Sequence, residues 1–514
     1  MTSRNLSCCC PEFALLLLEA RQNIIKRKQN ICRNESLQTE FAAIYCLRKK
    51  TPRGPDDPRH KKWRYIMKSL TSGNPAKLMI SFALPVCLGN IFQLFYSLAD
   101  TRIVGSTLGE GSLAAVGATT AVSTLLIGFL QGMANGFSII SAQSMGAKEE
   151  KQLRQTAAGT LVLGGVITLF LTVLSLTLLP LLLHVLNVPD DLYPEAHSYI
   201  SIILLGLIVT MLYNACAGIL RAVGDTIAPL VFLVCASLLN VGLDFLLIAG
   251  IHLGVRGAAL GTVISQSVSV LLCFLYIWKK YPLFHLKKED FCLTKDLVQK
   301  MLSSGLSMGM MMSLVYFGTL ALQTSINTFG TDTIVAHTAA RKIIELYFLP
   351  IVVMGTTLST FCSQNYGAGK MDRVYQGMKY ALMINWSWTL IVIFMSYTIA
   401  PQLIYLVSGS SKETVLAPAV LYLKVNAPFF FLSAAINLLR NTLQAIGDHW
   451  TPIISSTIEL VGKVLIVFFL VPVLQYMGII VTEPIIWILM IIPLLLRFIH
   501  HPESAVKHKK EITG

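Results

Sequence analysis

Leu220-Arg-Ala-Val-Gly-Asp225-Thr-Ile-Ala-Pro229 is written a second time, as Leu443-Gln-Ala-Ile-Gly-Asp448-His-Trp-Thr-Pro452, with Leu, Ala, Gly, Asp and Pro kept in place. A shorter pair, Gln143-Ser-Met-Gly146-Ala147 and Gln364-Asn-Tyr-Gly367-Ala368, repeats at nearly the same offset of about 222 residues. The chain is therefore a duplication, and the sequence around these motifs says of what. Apolar runs of about twenty residues, the length that crosses a bilayer as a helix, are expected near 77–104, 113–140, 155–180, 197–220, 228–250 and 254–278. Six more follow near 302–328, 334–362, 377–406, 417–440, 452–473 and 478–498. The Gly-Asp motif falls between spans 4 and 5 and again between 10 and 11. The Gln-x-x-Gly motif falls after spans 2 and 8. An even number of spans per repeat gives both halves the same orientation, so they are parallel repeats about an axis along the membrane normal.

Composition agrees. Of 514 residues, 54% are hydrophobic and 13% charged, against about 25% charged in soluble domains, and the mean hydropathy is +0.64. Short alternating strands are absent, which excludes an outer-membrane barrel. The fold class is all-α and polytopic: twelve transmembrane helices in two six-helix repeats. Two such lobes around a cleft suit a transporter that rocks between inward-open and outward-open states. No filter loop of a channel is present.

Charge gives the orientation. One set of connections carries Lys148, Lys151 and Arg154; Arg221; Lys279, Lys280, Lys287 and Lys288; and Lys370, Arg373 and Lys379. The other carries Glu110, Asp190, Asp191, Glu195, Asp332 and Glu483, with scattered bases such as Arg256 and Lys412. The positive-inside rule then puts both termini in the cytoplasm of a multi-pass cell-membrane protein. The net charge of +14 is topology, and nucleic-acid binding need not be invoked. The expected layout is an N-lobe over 67–280, a cytoplasmic linker over 281–300, a C-lobe over 301–498 and a basic tail over 499–514.

Residues 1–66 differ, with fourteen Lys/Arg against six Asp/Glu and five of the eleven cysteines. Cys8–Cys10, Cys32 and Cys46 lack the paired CxxC spacing of a metal site, and Leu15–Leu18 is too short to span. The working protein is expected to begin at Met67. N-terminal sequencing that recovered earlier residues would refute this.

Within the apolar spans, acids are the informative residues, because a carboxylate there costs several kcal/mol unless paired, solvated or protonated. Asp100 lies near the outer end of span 1, about 6 Å in at the helical rise. Asn240 and Asp244 are spaced i, i+4 and share one face of span 5. Thr262 lies about 12 Å into span 6. Similar depths let one pocket hold all four. Under the repeat, Asn240 maps to Lys463, Asp244 to Val467 and Asp100 to the Leu322 region, so the acid set belongs to the N-terminal half. Two carboxylates facing one cavity repel, which favours a proton or a bound cation between them.

Other polar residues read as structural. Asp225 and Asp448 are expected to cap helices, with Gly224 and Gly447 at positive φ and Pro229 and Pro452 in the next first turn. Glu459 and Lys463 are expected to pair, as is Glu345 with the adjacent Arg341 and Lys342. Met308, Met310, Met311 and Met312 in span 7 read as packing. No catalytic residues, metal cluster or organic cofactor are expected.

These motifs together resemble the multidrug and toxic compound extrusion (MATE) family, and within it the DinF-like branch, from about Leu70 to Arg497. Leu84-Pro85 with Asp100, Gln143-x-x-Gly146-Ala147, Leu220-Arg-x-x-Gly-Asp225, Asn240-Val-Gly-Leu-Asp244 and Gly257-Ala-Ala-Leu-Gly-Thr262 carry the match. The resemblance implies a monomeric antiporter that exports cationic or amphipathic organic compounds, driven by inward H⁺ or Na⁺. It assigns the coupling ion to Asp100, Asn240, Asp244 and Thr262, and a helix bend to Pro85. Tyr213 and Asn214 are candidates for lining the substrate cavity. NorM-like members also use a Glu in span 7, where this chain reads Met311-Met-Ser-Leu-Val-Tyr-Phe317 without an acid. The alternatives are a lipid-linked oligosaccharide flippase of the same superfamily, for which intramembrane bases look too few, and an integral-membrane enzyme.

Overall fold

In lipid every backbone polar group must be satisfied within its own segment, so apolar runs of this length fold as helices. The computed structural model describes residues 69–186 and 188–500. The segment 1–66, with its cysteines and the expected start at Met67, lies outside the described residues, as does most of the basic tail. Among the described residues twelve helices are long and apolar enough to cross a membrane. They are α1 (Pro75–Leu108), α2 (Glu110–Ala147), α3 (Glu150–Thr177), α4 (Tyr193–Ala222), α5 (Ile227–Gly250) and α6 (Val255–Lys280). The second set is α7 (Lys295–Ile326), α8 (Thr331–Gly367), α9 (Met371–Thr398), α10 (Glu413–Ala445), α11 (Trp450–Leu474) and α12 (Tyr476–Ile499). No strand occurs among the described residues.

The repeat extends to detail that the motifs did not announce. A short helix follows α3 (Leu179–Val185) and another follows α9 (Ala400–Ser408). Both α5 and α11 contain a π-helical turn, at Phe245–Gly250 and Ile466–Leu470. Such turns insert one residue per turn and often mark functional positions. Of the stretch 281–300, residues from Lys295 onward are already helix, begun by Thr294, whose hydroxyl accepts from the Leu297 amide at 3.4 Å. The preceding segment is tied to α3 by Arg154–Asp290 at 3.1 Å.

The Gly-Asp turns cap as expected. Gly224 and Gly447 take φ of 84° and 93°, a left-handed backbone that costs glycine little. Asp225 Oδ1 accepts from the Ala228 amide at 3.2 Å, and Oδ2 accepts from Tyr276, Lys280 and Tyr281, each at 2.9 Å. Asp448 accepts from the Trp450 and Thr451 amides and from Arg497 Nε at 2.6 Å. Each aspartate therefore caps one helix and ties it to the last helix of its own half. Although burial opposes the charge on Asp225, the Lys280 ammonium, the Ala228 amide and the two tyrosines hold its carboxyl below the usual range. The two halves of the bundle are thus locked internally at this end.

The same end joins the halves to each other. α2 and α8 cross at Gly146 and Gly367, where a Cβ on either glycine would collide with the backbone carbonyl of Gln364 or Gln143 respectively. Only glycine permits so close an approach. Over residues 130–146 and 351–365 these helices are mostly buried, whereas over 110–121 and 331–335 they are mostly exposed or half-buried. The lobes meet at the end bearing the basic loops and part toward the opposite end.

The first helix of each half belongs to both lobes. Met79, Phe82 and Ala83 of α1 sit in the core built by α8, α9 and α10, while Gly89 faces Leu230 and Leu233 of α5. Farther along, Ile103 and Val104 pack with Ile248 and Ala258 of α5 and α6. Pro85 lies in the changeover between these two packings, and α1 continues through it. α7 crosses the other way: Met301, Met308 and Met311 enter the N-lobe core, and Leu322 and Ile326 enter the C-lobe core.

Candidate functional site

α1 carries Asp100 into the N-lobe beside α5. Helix α1 runs on to Leu108, so Asp100 lies eight residues, or about 12 Å, from the helix end. This is deeper than the four residues read from hydropathy. Asn240 and Asp244 are 1% and 0% exposed, one turn apart on α5 immediately before its π-helical turn. The carboxyl groups of Asp100 and Asp244 are within hydrogen-bonding reach of each other.

The chemistry of this pair follows from counting donors. Asp100 Oδ1, both oxygens of Asp244, and Oδ1 and Nδ2 of Asn240 are buried and meet no hydrogen-bond partner in the protein. Two carboxylates are both acceptors, so nothing between them satisfies either. Buried acceptors of this kind cost several kcal/mol unless a proton or cation joins them. A proton shared between the carboxyls fits the donor set. So does a hard cation held by carboxylate and amide oxygens.

Three neighbours shape this site that sequence reasoning missed. A Cβ on Gly261 of α6 would run into Asp244 Oδ1, so the glycine is what admits the carboxylate between α5 and α6. The signal was available as Gly257-x-x-x-Gly261, the small-residue spacing that lets helices approach. Tyr96 of α1 and Tyr199 of α4 lie close enough to both acids to interact electrostatically. Tyrosine in an apolar span gave no such signal. The Thr262 hydroxyl donates to the Ala258 carbonyl at 3.1 Å, leaving its lone pairs available as acceptors.

Farther in, a polar cavity lies between the lobes, lined by Asn135, Ser138, Arg221, Thr356, Ser359 and Asn441 among others. Arg221, read from sequence as a loop base, is in the last turn of α4 and donates to Asn135 Oδ1 at 3.0 Å. Tyr213 and Asn214 are not among the lining residues; the Asn214 amide donates to the Thr210 carbonyl at 2.9 Å.

The C-lobe corrects two expectations. Glu483, placed from sequence with the outer-loop acids, is buried inside α12. Bases inside the bundle are also more numerous than read from sequence. Lys463 Nζ is 2.9 Å from Glu459 and 3.3 Å from Glu483; Arg440 is 3.3 Å from Glu459, and Arg341 is 3.7 Å from Glu483. The expected Glu459–Lys463 pair is thus part of a five-charge network across α8, α10, α11 and α12. Glu345 pairs with Lys342 at 3.0 Å. Among the described residues no group of three or more His, Cys, Asp or Glu could hold a metal.

Two parallel six-helix lobes, joined at one end and parted at the other, with a buried acid pair inside one lobe and a polar cavity between the two, define a membrane transporter of the two-lobe type. The family model described as MatE matches residues 85–246 and again 307–469, and the chain belongs to that family. The probable multidrug resistance protein YoeA of Bacillus subtilis (strain 168) is 26% identical over 391 residues, covering 75% of this chain and 84% of that protein. YpnP of the same organism, also described as a probable multidrug resistance protein, is 28% identical over 305 residues, or 59% and 68% of the two chains. A solved structure described as the outward-facing conformation of a multidrug resistance MATE family transporter matches with a TM-score of 0.76 at 25% identity. It covers 83% of this chain and 96% of that one.

Proposed function

We propose that this protein is a monomeric secondary antiporter of the cell membrane that exports cationic or amphipathic organic compounds against inward flow of H⁺ or Na⁺. One observation carries the reading: Asp100 meets Asp244 from a helix whose first half packs in the opposite lobe. Neutralising the pair by a proton or cation removes a repulsion of several kcal/mol inside the N-lobe. The change acts on α1, and α1 touches both lobes, so occupancy of the acids biases how the lobes sit. With the basic loops and both termini cytoplasmic, the joined end closes the cytoplasmic side and the parted end faces outward. Substrate leaves there, and the ion taken up at Asp100, Asn240, Asp244 and Thr262 is released on the inner side after the lobes rock.

The names of the relatives support multidrug export as the cargo class. The test is efflux of a fluorescent organic cation from vesicles under an imposed H⁺ or Na⁺ gradient. D100N and D244N are expected to abolish gradient-driven efflux while the protein still reaches the membrane. Wild-type efflux by both variants would sink the proposal, and transport of a lipid-linked pyrophosphate without an ion gradient would favour the flippase.

A further inference from the structure

The two halves place opposite chemistry at one position of the fold. With the repeat offset, Asn240 of α5 corresponds to Lys463 of α11, and both precede the π-helical turn of their helix. α6 and α12 each begin after a residue at positive φ, Gly254 at 61° and Gln475 at 51°. Aligning those two residues sets Gly257 on Gly478 and Thr262 on Glu483. On α1 and α7, the offset sets Tyr96 on Gly318. In the C-lobe, then, the places of Asn240, Thr262 and Tyr96 are held by Lys463, Glu483 and Gly318.

These three exchanges fit one another physically. A Cβ on Gly318 would come within 2.9 Å of Lys463 Cδ, so the glycine makes room for the lysine stem where the N-lobe has a tyrosine ring. The Lys463 ammonium reaches Glu459 at 2.9 Å and Glu483 at 3.3 Å, and its side chain is 3% exposed. The N-lobe offers buried acceptors that no protein donor meets. The C-lobe offers buried acceptors met by a cation on a covalent tether.

We infer that the Lys463 ammonium is the C-lobe's built-in cation, standing where the N-lobe takes an exchangeable one, so that the C-lobe carries no ion through the cycle. This rests on the reading of Asp100 and Asp244 as the coupling site. Its consequence is specific. Cutting the lysine short leaves Glu459 with Arg440 and Glu483 with Arg341, and opens between the two carboxylates a space the size of an alkylammonium, which regains the Lys463 contacts when it binds.

The experiment is gradient-driven efflux by K463A with methylammonium or ethylammonium added, and with choline at equal concentration as the control. Loss of efflux in K463A, recovered with either small ammonium but not with choline, is expected. Thermal unfolding of purified K463A should move upward with methylammonium concentration, as binding to the folded state requires, while wild type stays put. K463A that transports like wild type without amine, or inserted K463A that gains neither efflux nor stability from it, overturns the inference. If K463A does not accumulate, K463R keeps a tethered cation. Its transport then supports the inference, and inserted but inactive K463R overturns it. D100N and D244N run in the same vesicles separate the two claims, since their activity bears on the N-lobe site alone.

Discussion

Gln143 and Gln364 make the same bond in opposite directions: each side-chain amide donates to a backbone carbonyl of the other lobe, Ala445 at 2.9 Å and Ala222 at 2.8 Å. The acceptors are the last residue of α10 and the last of α4, just ahead of the Gly-Asp turns. The two repeated motifs therefore latch each lobe to the other, with Gly146 and Gly367 as the crossing point between them. The segment before α1 adds to this latch, because the Leu70 amide donates to Gln364 Oε1 at 2.8 Å and Arg373 donates to the carbonyls of Leu70 and Gly73.

A side chain at the crossing should therefore open the latch. In G146V the new carbons collide with the Gln364 carbonyl, and backbone cannot yield as a flexible side chain would. Ser138 lines the inter-lobe cavity above the crossing, so a cysteine there reports access. Labelling of S138C by a membrane-impermeant maleimide from the basic-loop side is expected to rise in G146V. Unchanged labelling would show that the lobes do not close at Gly146.

Gly261 tests the proposed coupling site without removing a charge. An added methyl in G261A must displace Asp244 Oδ1, and overpacking of this sort costs about 1–3 kcal/mol. The expected result is efflux lost or weakened with the protein still inserted. G165A is the control, since nothing lies within 4 Å of a Cβ there. Equal efflux by G261A and G165A would mean that the α6 contact does not position Asp244.

Acid should loosen the loop caps in a known direction. The folded carboxyl of Asp225 lies below its unfolded value of 3.8, so its contribution to stability is fully present above that pH. It is lost as pH falls through the folded value. The Asp448 carboxyl is lowered likewise, by Arg497 and Thr451 against the opposing effect of burial. D225N should lower the melting temperature at pH 7, by the equivalent of about 1 kcal/mol for the weakened cap. Its melting temperature should then fall less steeply than wild type below pH 4. A parallel pair of curves would assign the acid loss to other carboxylates.

Why some of this was legible in the sequence, and some not, is itself physical. Lipid leaves the backbone no choice but helix, so twelve apolar runs and the repeat read directly from the chain. Asp100 and Asp244 stood out because an acid in such a run is costly. Their proximity did not depend on reading α1 correctly, yet α1 hides its main property. Met79 and Ile103 look alike in sequence but pack in different lobes, and no local pattern encodes that. Glu483 and Arg440 were missed for a related reason. Both lie within a few residues of an expected span end, where hydropathy places a charge in the loop by default. Helix register buries them instead.

The C-lobe network permits one more test, because its charges do not balance. Arg341, Arg440 and Lys463 are three bases, while Glu459 and Glu483 are two acids. Removing an acid and removing a base are then unequal changes. E459Q leaves the buried Arg440 without its acid partner and Lys463 with Glu483 alone, which half-exposed Arg341 also contacts, and a buried charge that loses its partner costs about 3–5 kcal/mol. R440M leaves Lys463 still 2.9 Å from Glu459 and Arg341 near Glu483, two bases against two acids. Arg440 also gives up its contact with Ser455 Oγ at 3.3 Å, a smaller loss of about 1 kcal/mol. R440M is therefore expected to unfold at a clearly higher temperature than E459Q in the same detergent, and the double variant R440M/E459Q to recover part of the E459Q loss. An E459Q protein as stable as R440M would mean that the excess positive charge is already met by water reaching Arg341, whose side chain is 30% exposed. In that case the network is held by packing rather than by charge.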